Sequence, residues 1–224
     1  NAYHVANNNW HSIHNPITEE MIRTGLNIPD ELGDDDVYYN RVSGTSNTEG
    51  LRDFHNLFVK RMLINSVSKR GDTLIDYAVG KGGDFPKWIF AKLSFVFGID
   101  VAKDNIENRI DGACARYLNY HKKFKVMPSA LFVNGTSSSN IRDGEAIYTE
   151  KSKMITKAIF GEGPKDKEKL GLGVYKQYGK AADGFNISSC QFALHYFFEN
   201  KRTINSFLRK VSECTKEKGY FIGT

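Results

Sequence analysis

Cysteine is scarce in this chain of 224 residues, and Cys114, Cys190 and Cys214 stand at unrelated spacings. That excludes a disulfide framework and a zinc-binding pattern, and the three read as small buried apolar groups in a reducing compartment. Histidine occurs six times without an H-E-x-x-H or comparable ligand pair, so no metal is expected. No apolar run is long enough to cross a bilayer, and no membrane partner is expected. The glycine-rich stretch follows neither G-x-G-x-x-G nor G-x-x-x-x-G-K-[ST], which removes the dinucleotide fingerprint and the ordinary phosphate loop. A Ser/His/Asp nucleophile set, paired acids, internal repeats and low-complexity tracts are also missing. There is no initiator Met and no signal peptide. Asn1-Ala2 reads as a tag-cleavage scar, and the chain as a piece of something larger.

What is present describes a soluble globular domain large enough to bury a full core: charged residues make up 25% and mean hydropathy is -0.46. The formal net charge of +5 and pI near 8.9 suit a polyanionic partner but equally none in particular.

The chain is organised around Thr73 to Trp88. A short apolar run of strand type leads into Gly80, Gly82 and Gly83, and an amphipathic segment follows. Glycines remove Cβ atoms where a ligand lies against the backbone, and a helix start offers unpaired N–H groups. A second apolar run, Leu93 to Ile99, ends in Asp100, about 20 residues past Gly80. A carboxylate there is placed to accept hydrogen bonds from both ribose hydroxyls of a nucleotide. Asp76 and Asp84 would repel a pyrophosphate but suit the ammonium and sulfonium of S-adenosylmethionine. An ordinary Gly-rich strand-to-helix turn is the plainer alternative.

Strands alternating with helices predict an α/β fold with a parallel, doubly wound sheet. Residues 1–36 are polar and turn-rich and read as an arm or linker, with a short helix from Glu19 to Thr24 capped by Thr18. An amphipathic helix is expected from Glu49 to about Val67 with Leu51, Phe54, Phe58 and Met62 on its core face. Lys60 then lies near the ligand loop if this helix packs over that edge, and is otherwise solvated. Further expectations are one helix from Ala102 to Lys123, a third strand from Ala130 to Asn134, and a polar loop at Gly135 to Ser139. An insertion spans 148–184 with one short helix at Lys151 to Ile159. A fourth strand is expected from Phe185 to Cys190, a helix from Thr203 to Cys214, and a fifth strand opening at Gly219 to Gly223.

Three stretches together resemble the mRNA cap guanine-N7 methyltransferases, above all the methyltransferase domain of the multifunctional capping enzymes of large DNA viruses. The first is Tyr39-Asn40 followed by Arg52-Asp53-Phe54-His55-Asn56-Leu57-Phe58-Val59-Lys60; the second is Asp76 to Asp84 with Lys87-Trp88. The third is Phe185 to Tyr196 with the strand Gly219 to Thr224 behind it. The resemblance covers residues 37–224, the expected methyltransferase domain, and Trp10 to Thr18 is similar to the region preceding it in the viral enzymes.

The resemblance implies a Rossmann-like S-adenosylmethionine-dependent methyltransferase fold, truncated before its last strands, with S-adenosylhomocysteine as product. It implies donor contacts from Lys60, Asp76, Ala78, Gly80, Asp100, Thr136, Gln191 and Tyr196. For the cap it implies His55, Asn56, Lys81, Lys87 and His195. Lys60 would meet the methionine carboxylate, Lys81 and Lys87 the cap triphosphate, and the Tyr196 ring would lie by the sulfonium. No general base is implied; Tyr196 and His195 position the reactants. Tyr196 also reads as a plain core aromatic and His195 as a hydrogen-bonded structural histidine. Two departures stand out: Ala78 replaces the family's first loop glycine, and Thr136 stands where an aspartate is usual.

Implied partners are the capped 5' end of mRNA, a guanylyltransferase domain of the same polypeptide and a stimulatory subunit. The implied location is intracellular: host cytoplasm or virion for a viral protein, nucleus for a cellular one. Methylation of another RNA position, or a non-catalytic module that binds RNA or a partner through a vestigial donor pocket, are the competing readings.

Overall fold

The computed structural model describes residues 6, 10, 13, 14, 16, 18–26 and 48–224. The Tyr39-Asn40 pair of the resemblance lies outside them. Within them five strands, β1 (Thr73–Asp76), β2 (Phe95–Asp100), β3 (Ser129–Asn134), β4 (Phe185–Cys190) and β5 (Thr215–Gly223), form one sheet in the order β3-β2-β1-β4-β5. Every pairing is parallel. The expected doubly wound α/β architecture is therefore present, with β1 at the centre.

Parallel strands covered on both faces are apolar almost throughout, and β1 and β2 are buried at every position. Successive residues serve opposite faces. Ile75, Phe95, Phe97 and Phe185 pack on one side with Phe207, while Leu74, Val96 and Ile187 pack on the other with Phe85 and Trp88. Gly98 is required where it stands, because a Cβ there would come 2.9 Å from Val79 and 2.8 Å from Phe132. Its absence lets the turn after β1 lie against β2, where Val79 N–H donates to the Ile99 carbonyl at 3.0 Å.

The short helix α1 (Glu19–Thr24) begins at Thr18, whose hydroxyl accepts from Met21 N–H, as expected. Other expectations need correction. The predicted helix from Glu49 to Val67 is three segments: α2 (Glu49–Asp53), a π-helical stretch Phe54–Val59, and α3 (Lys60–Val67). Leu51, Phe54, Phe58 and Met62 are exposed rather than buried. The inward face carries His55, Asn56, Val59 and Lys60 instead. A π turn takes more residues than an α turn, so His55 and Lys60, bonded through Lys60 N–H to the His55 carbonyl, come round to the same side.

After α4 (Phe85–Phe90), the helix expected over Ala102 to Lys123 breaks into α5 (Lys103–Glu107) and α6 (Ala113–Lys123). Asn108 Oδ1 accepts from Ile110 N–H at 2.9 Å and Asp111 N–H at 3.3 Å, a local turn that competes with the helix. The insertion holds two helices, α7 (Glu150–Ile159) and α8 (Lys167–Tyr175), around Ala158, Leu170 and Val174. Gly171, at φ 73°, kinks α8 and hides its periodicity. A 3-10 turn, Leu194–Phe198, follows β4, and α9 (Lys201–Cys214) leads into β5, which starts at Thr215 and shifts register before Tyr220.

Candidate active site

The carboxyl ends of β1, β2 and β4 bring together the floor of the site. Gly80 (φ 54°) and Gly82 (φ 70°) turn the chain after β1. A Cβ on Gly82 would lie 2.3 Å from the Phe85 ring, whereas Gly80 and Gly83 face open space. Gly80 N–H donates to Asp100 Oδ2 at 2.8 Å. Asp100 Oδ1 accepts from Ala102 N–H (2.9 Å) and Asn105 Nδ2 (3.0 Å), which fills its two lone-pair directions and fixes the carboxylate plane. Oδ2 keeps one lone-pair direction for a ligand.

Asp76, the last residue of β1, is 2% exposed. Its carboxyl is pushed up to about 7, first by burial and then by the charge of Asp84, against the opposing pull of Ala78 N–H and Lys60. Gln191, just past β4, is buried and held between Ser189 Oγ (3.1 Å) and Thr224 Oγ1 (3.2 Å).

Access lies along the turns. Ala78 and Gly80 after β1, Val101 and Ala102 after β2, and Thr136 after β3 are all partly accessible, a continuous track across three strand tips. Strand ends of an open parallel sheet are where such folds take ligands. The Thr136 hydroxyl accepts from Ser138 N–H at 3.1 Å within its own turn.

The wall comes from the π-helical stretch and α3. Asp84, before α4, sits between two buried ammonium groups: Lys87 Nζ at 2.7 Å and Lys60 Nζ at 3.4 Å. The Lys87 contact is an ion pair rather than a directed hydrogen bond; Lys87 Nζ donates instead to Asn56 Oδ1 at 3.2 Å. Lys60 also lies 4.7 Å from the centre of the Phe192 ring, and the His55 ring is 5.4 Å from it. Among the described residues, the buried His55 Nδ1 has no hydrogen-bond partner. Phe192 holds φ 58°, a strained value for a bulky side chain, with its N–H bonded to the Thr224 carbonyl at 2.9 Å.

In the following 3-10 turn Phe197 and Phe198 are buried while His195 and Tyr196 are exposed, with their rings 4.1 Å apart. At 41% exposure Tyr196 is not a core aromatic. Partial burial lowers the His195 imidazole, which favours its neutral form at neutral pH.

The structure thus joins His55, Asn56, Lys60 and Lys87 around Asp84, and Asp76, Ala78, Gly80 and Asp100 at the strand tips. It does not join Lys81, whose ammonium pairs with Asp111 at 2.8 Å and Asp104 at 3.5 Å toward α5. Sequence reasoning gave Asp84 only a share in the loop's negative charge, and it missed Phe192 and Asn105. Asp84 was detectable as the acid preceding a Pro-containing helix start; nothing in the sequence signals the positive φ of Phe192. Among the described residues no group of three His, Cys, Asp or Glu side chains is arranged to hold a metal. A shallow hollow of about 200 Å³ lined by Glu150, Lys153, Lys157 and Glu162 lies on the insertion, apart from these groups.

Residues 38–224 match the model of the mRNA (guanine-N(7))-methyltransferase domain. The chain is similar to a probable mRNA-capping enzyme of Acanthamoeba polyphaga mimivirus, 29% identical over 238 residues that cover 100% of this chain and 19% of that protein. It is also similar to mRNA cap guanine-N(7) methyltransferase 1 of Arabidopsis thaliana, 30% identical over 172 residues covering 75% of this chain and 37% of that one. The chain therefore spans about a fifth to just over a third of the length of these curated relatives. A solved S-adenosylmethionine-dependent methyltransferase from Clostridium acetobutylicum ATCC 824 aligns at a TM-score of 0.41 and 13% identity, covering 100% of this chain and 57% of that one. A likeness of that degree adds nothing to the strand order already described. Since the family model matches most of its length, this chain belongs to the mRNA (guanine-N(7))-methyltransferase domain family.

Proposed function

We propose that this chain transfers a methyl group from S-adenosylmethionine to guanine N7 of the mRNA cap, as one domain of a longer cap-forming polypeptide that works inside the cell. The observation that carries the reading is the electrostatic character of the strand tips. A buried acid that forms no ion pair among the described residues, Asp76, stands beside an oriented carboxylate, Asp100, and an open glycine turn. That set suits a ligand with a ribose diol and positive charge, and it opposes a pyrophosphate.

Bound there, S-adenosylmethionine supplies an electrophilic methyl group. Asp100 Oδ2 accepts from the ribose diol through its remaining lone pair, and Gly80 leaves the backbone uncovered beside it. Asp76, once ionised, offsets the ligand's cationic groups. Lys60 is the cation available to the methionine carboxylate, with Phe192 keeping its ammonium partly dehydrated. Guanine N7 carries a free lone pair at neutral pH, so no side chain need remove a proton. The protein's contribution is alignment of the reacting atoms, worth several kcal/mol of barrier (~7 kcal/mol in the best-oriented cases). Neutral His195 can hydrogen-bond the guanine edge, with His55 on the wall beside it, and Lys87 and Lys81 are the cations for the cap phosphates.

The test is methyl transfer from labelled donor to RNA with an unmethylated guanosine cap, the product being located by nuclease digestion and mass spectrometry. Label on cap guanine N7 supports the reading; label elsewhere, or none while the donor binds, overturns it. In parallel, Asp100→Ala should lower donor affinity by about 100-fold or more in calorimetry, since the ribose contact and the Gly80 tether go together. Unchanged affinity would remove the ribose role.

A further inference from the structure

The donor reading uses the tips of β1, β2 and β4 and leaves one buried charge unexplained. Lys210, on α9, is 2% exposed, and no ion pair among the described residues includes it. An ammonium in such a place is costly unless its hydrogen bonds accomplish something an apolar side chain cannot. Its Nζ donates to Ser206 Oγ at 2.9 Å and to the Ser137 carbonyl at 3.4 Å. Ser206 Oγ in turn donates to the Ser138 carbonyl at 2.9 Å, and Ser137 Oγ donates to the Tyr77 carbonyl at 2.7 Å.

These bonds tie together two walls of one site. Ser137 and Ser138 belong to the turn after β3, directly beyond Thr136. Tyr77 lies between Asp76 and Ala78 in the turn after β1. Lys210 and Ser206 hold the turn after β3 to α9, and the Ser137 hydroxyl carries that turn across to Tyr77 at the end of β1, whose ring packs 5.3 Å from Phe207 of the same helix; without Lys210 the Ser137 carbonyl loses its tie to α9. We propose that Lys210 is a positioning residue of the donor site: with Ser206 it pins the turn after β3 to α9, whose Phe207 packs against Tyr77, and so sets where that turn stands relative to the turn after β1 around the slot that receives the adenosine. The inference rests on the donor reading above and deepens it; Lys210 itself touches no reactant.

Burial also lowers the Lys210 ammonium to about 8, against the upward pull of Glu145 and Asp143 from the segment after β3 and of Cys214 and Glu213 on α9. The charge-assisted bond to the Ser137 carbonyl therefore weakens as pH passes 8.

The experiment measures donor affinity by calorimetry and steady-state methylation of capped RNA, on the full chain, for wild type, Lys210→Met and Ser206→Ala. Lys210→Met keeps the length of the side chain and removes its donors. It should raise the donor Kd and donor KM about tenfold while kcat at saturating donor and the cap KM stay within twofold. Ser206→Ala, which leaves the lysine in place, should show the same split at about threefold. Wild-type affinity should fall between pH 7.5 and 9, and the Lys210→Met variant should lack that extra fall. If Lys210→Met does not fold, the Ser206→Ala split alone decides. Equal loss of donor and cap parameters, or parallel pH profiles, would make Lys210 a structural residue only and overturn the inference. Donor affinity unchanged in both variants would do the same while leaving the donor reading intact; a wild-type chain that binds no donor overturns both.

Discussion

Two buried aspartates, eight residues apart at the two ends of one turn, meet opposite electrostatic fates. Asp84, at the wall, has Lys87 at 2.7 Å and Lys60 at 3.4 Å. Asp76, at the floor, forms no ion pair among the described residues; the Ala78 N–H at 3.1 Å and the more distant charge of Lys60 do not offset its burial, and it is held up to about 7. The first charge is compensated inside the protein, and the second, on the donor reading proposed above, is completed by a cationic ligand. Buried charge that is paired serves architecture, and buried charge left unpaired marks where a ligand of the opposite sign completes the site.

The largest effect that would break this contrast is at the wall. Asp84→Ala strands two buried ammonium groups and should cost about 3–5 kcal/mol of unfolding free energy in urea titration. A loss below about 1 kcal/mol would mean that solvent already screens the cluster.

At the floor the sign reverses. Asp76 binds its proton more tightly when folded than when unfolded. Its contribution to stability is therefore complete below about pH 4 and disappears as pH rises through about 7. Asp76→Asn, neutral at every pH, should be more stable than wild type by about 4 kcal/mol at pH 8, the gap closing toward pH 4. Donor affinity should fall in the same variant. Equal stability at both pH values would remove the contrast.

A smaller, sharper consequence concerns protons. At pH 6.5 the wild-type site should release a fraction of one proton on binding the cationic donor, since the ligand favours ionised Asp76. Binding heats in buffers of different ionisation enthalpy measure it, and the Asp76→Asn variant should release none from this position.

The smallest structural effect belongs to Lys81, whose partners lie on the surface. Lys81→Ala should leave the melting temperature and donor affinity unchanged. Methylation of capped RNA should fall by about threefold to tenfold if its charge serves the cap phosphates, and His195→Ala should behave similarly. Equal loss of donor binding and methylation would argue against the cap role of either residue.

Much of this arrangement was legible in the residues. The apolar runs Thr73–Asp76 and Phe95–Asp100 marked two strands, and the distance from Gly80 to Asp100 marked which carboxylate would stand at the second tip. Those features are local, because a strand buried on both faces must be apolar and a turn with φ above zero selects glycine. The helix before β1 was not legible in the same way. Its apolar residues recur at α-helical spacing, yet Leu51, Phe54, Phe58 and Met62 face outward because the π-helical stretch rotates the inward face onto His55, Asn56 and Lys60. The break between α5 and α6 lay closer to the surface of the sequence, in an Asn108 that bonds its own following backbone.

Composition, strand pattern and glycine placement were enough for the α/β class, the strand sequence and the acids that flank the turn after β1, since each depends on neighbours a few residues away. Which acid would be neutralised and which left bare was decided only on folding. Lys60 reaches Asp84 across 24 positions, and Lys210 reaches Ser137 across 73. The energy of a charge depends on how dry its surroundings are and on what stands opposite it. Both are properties of the packed chain and of no single stretch of it.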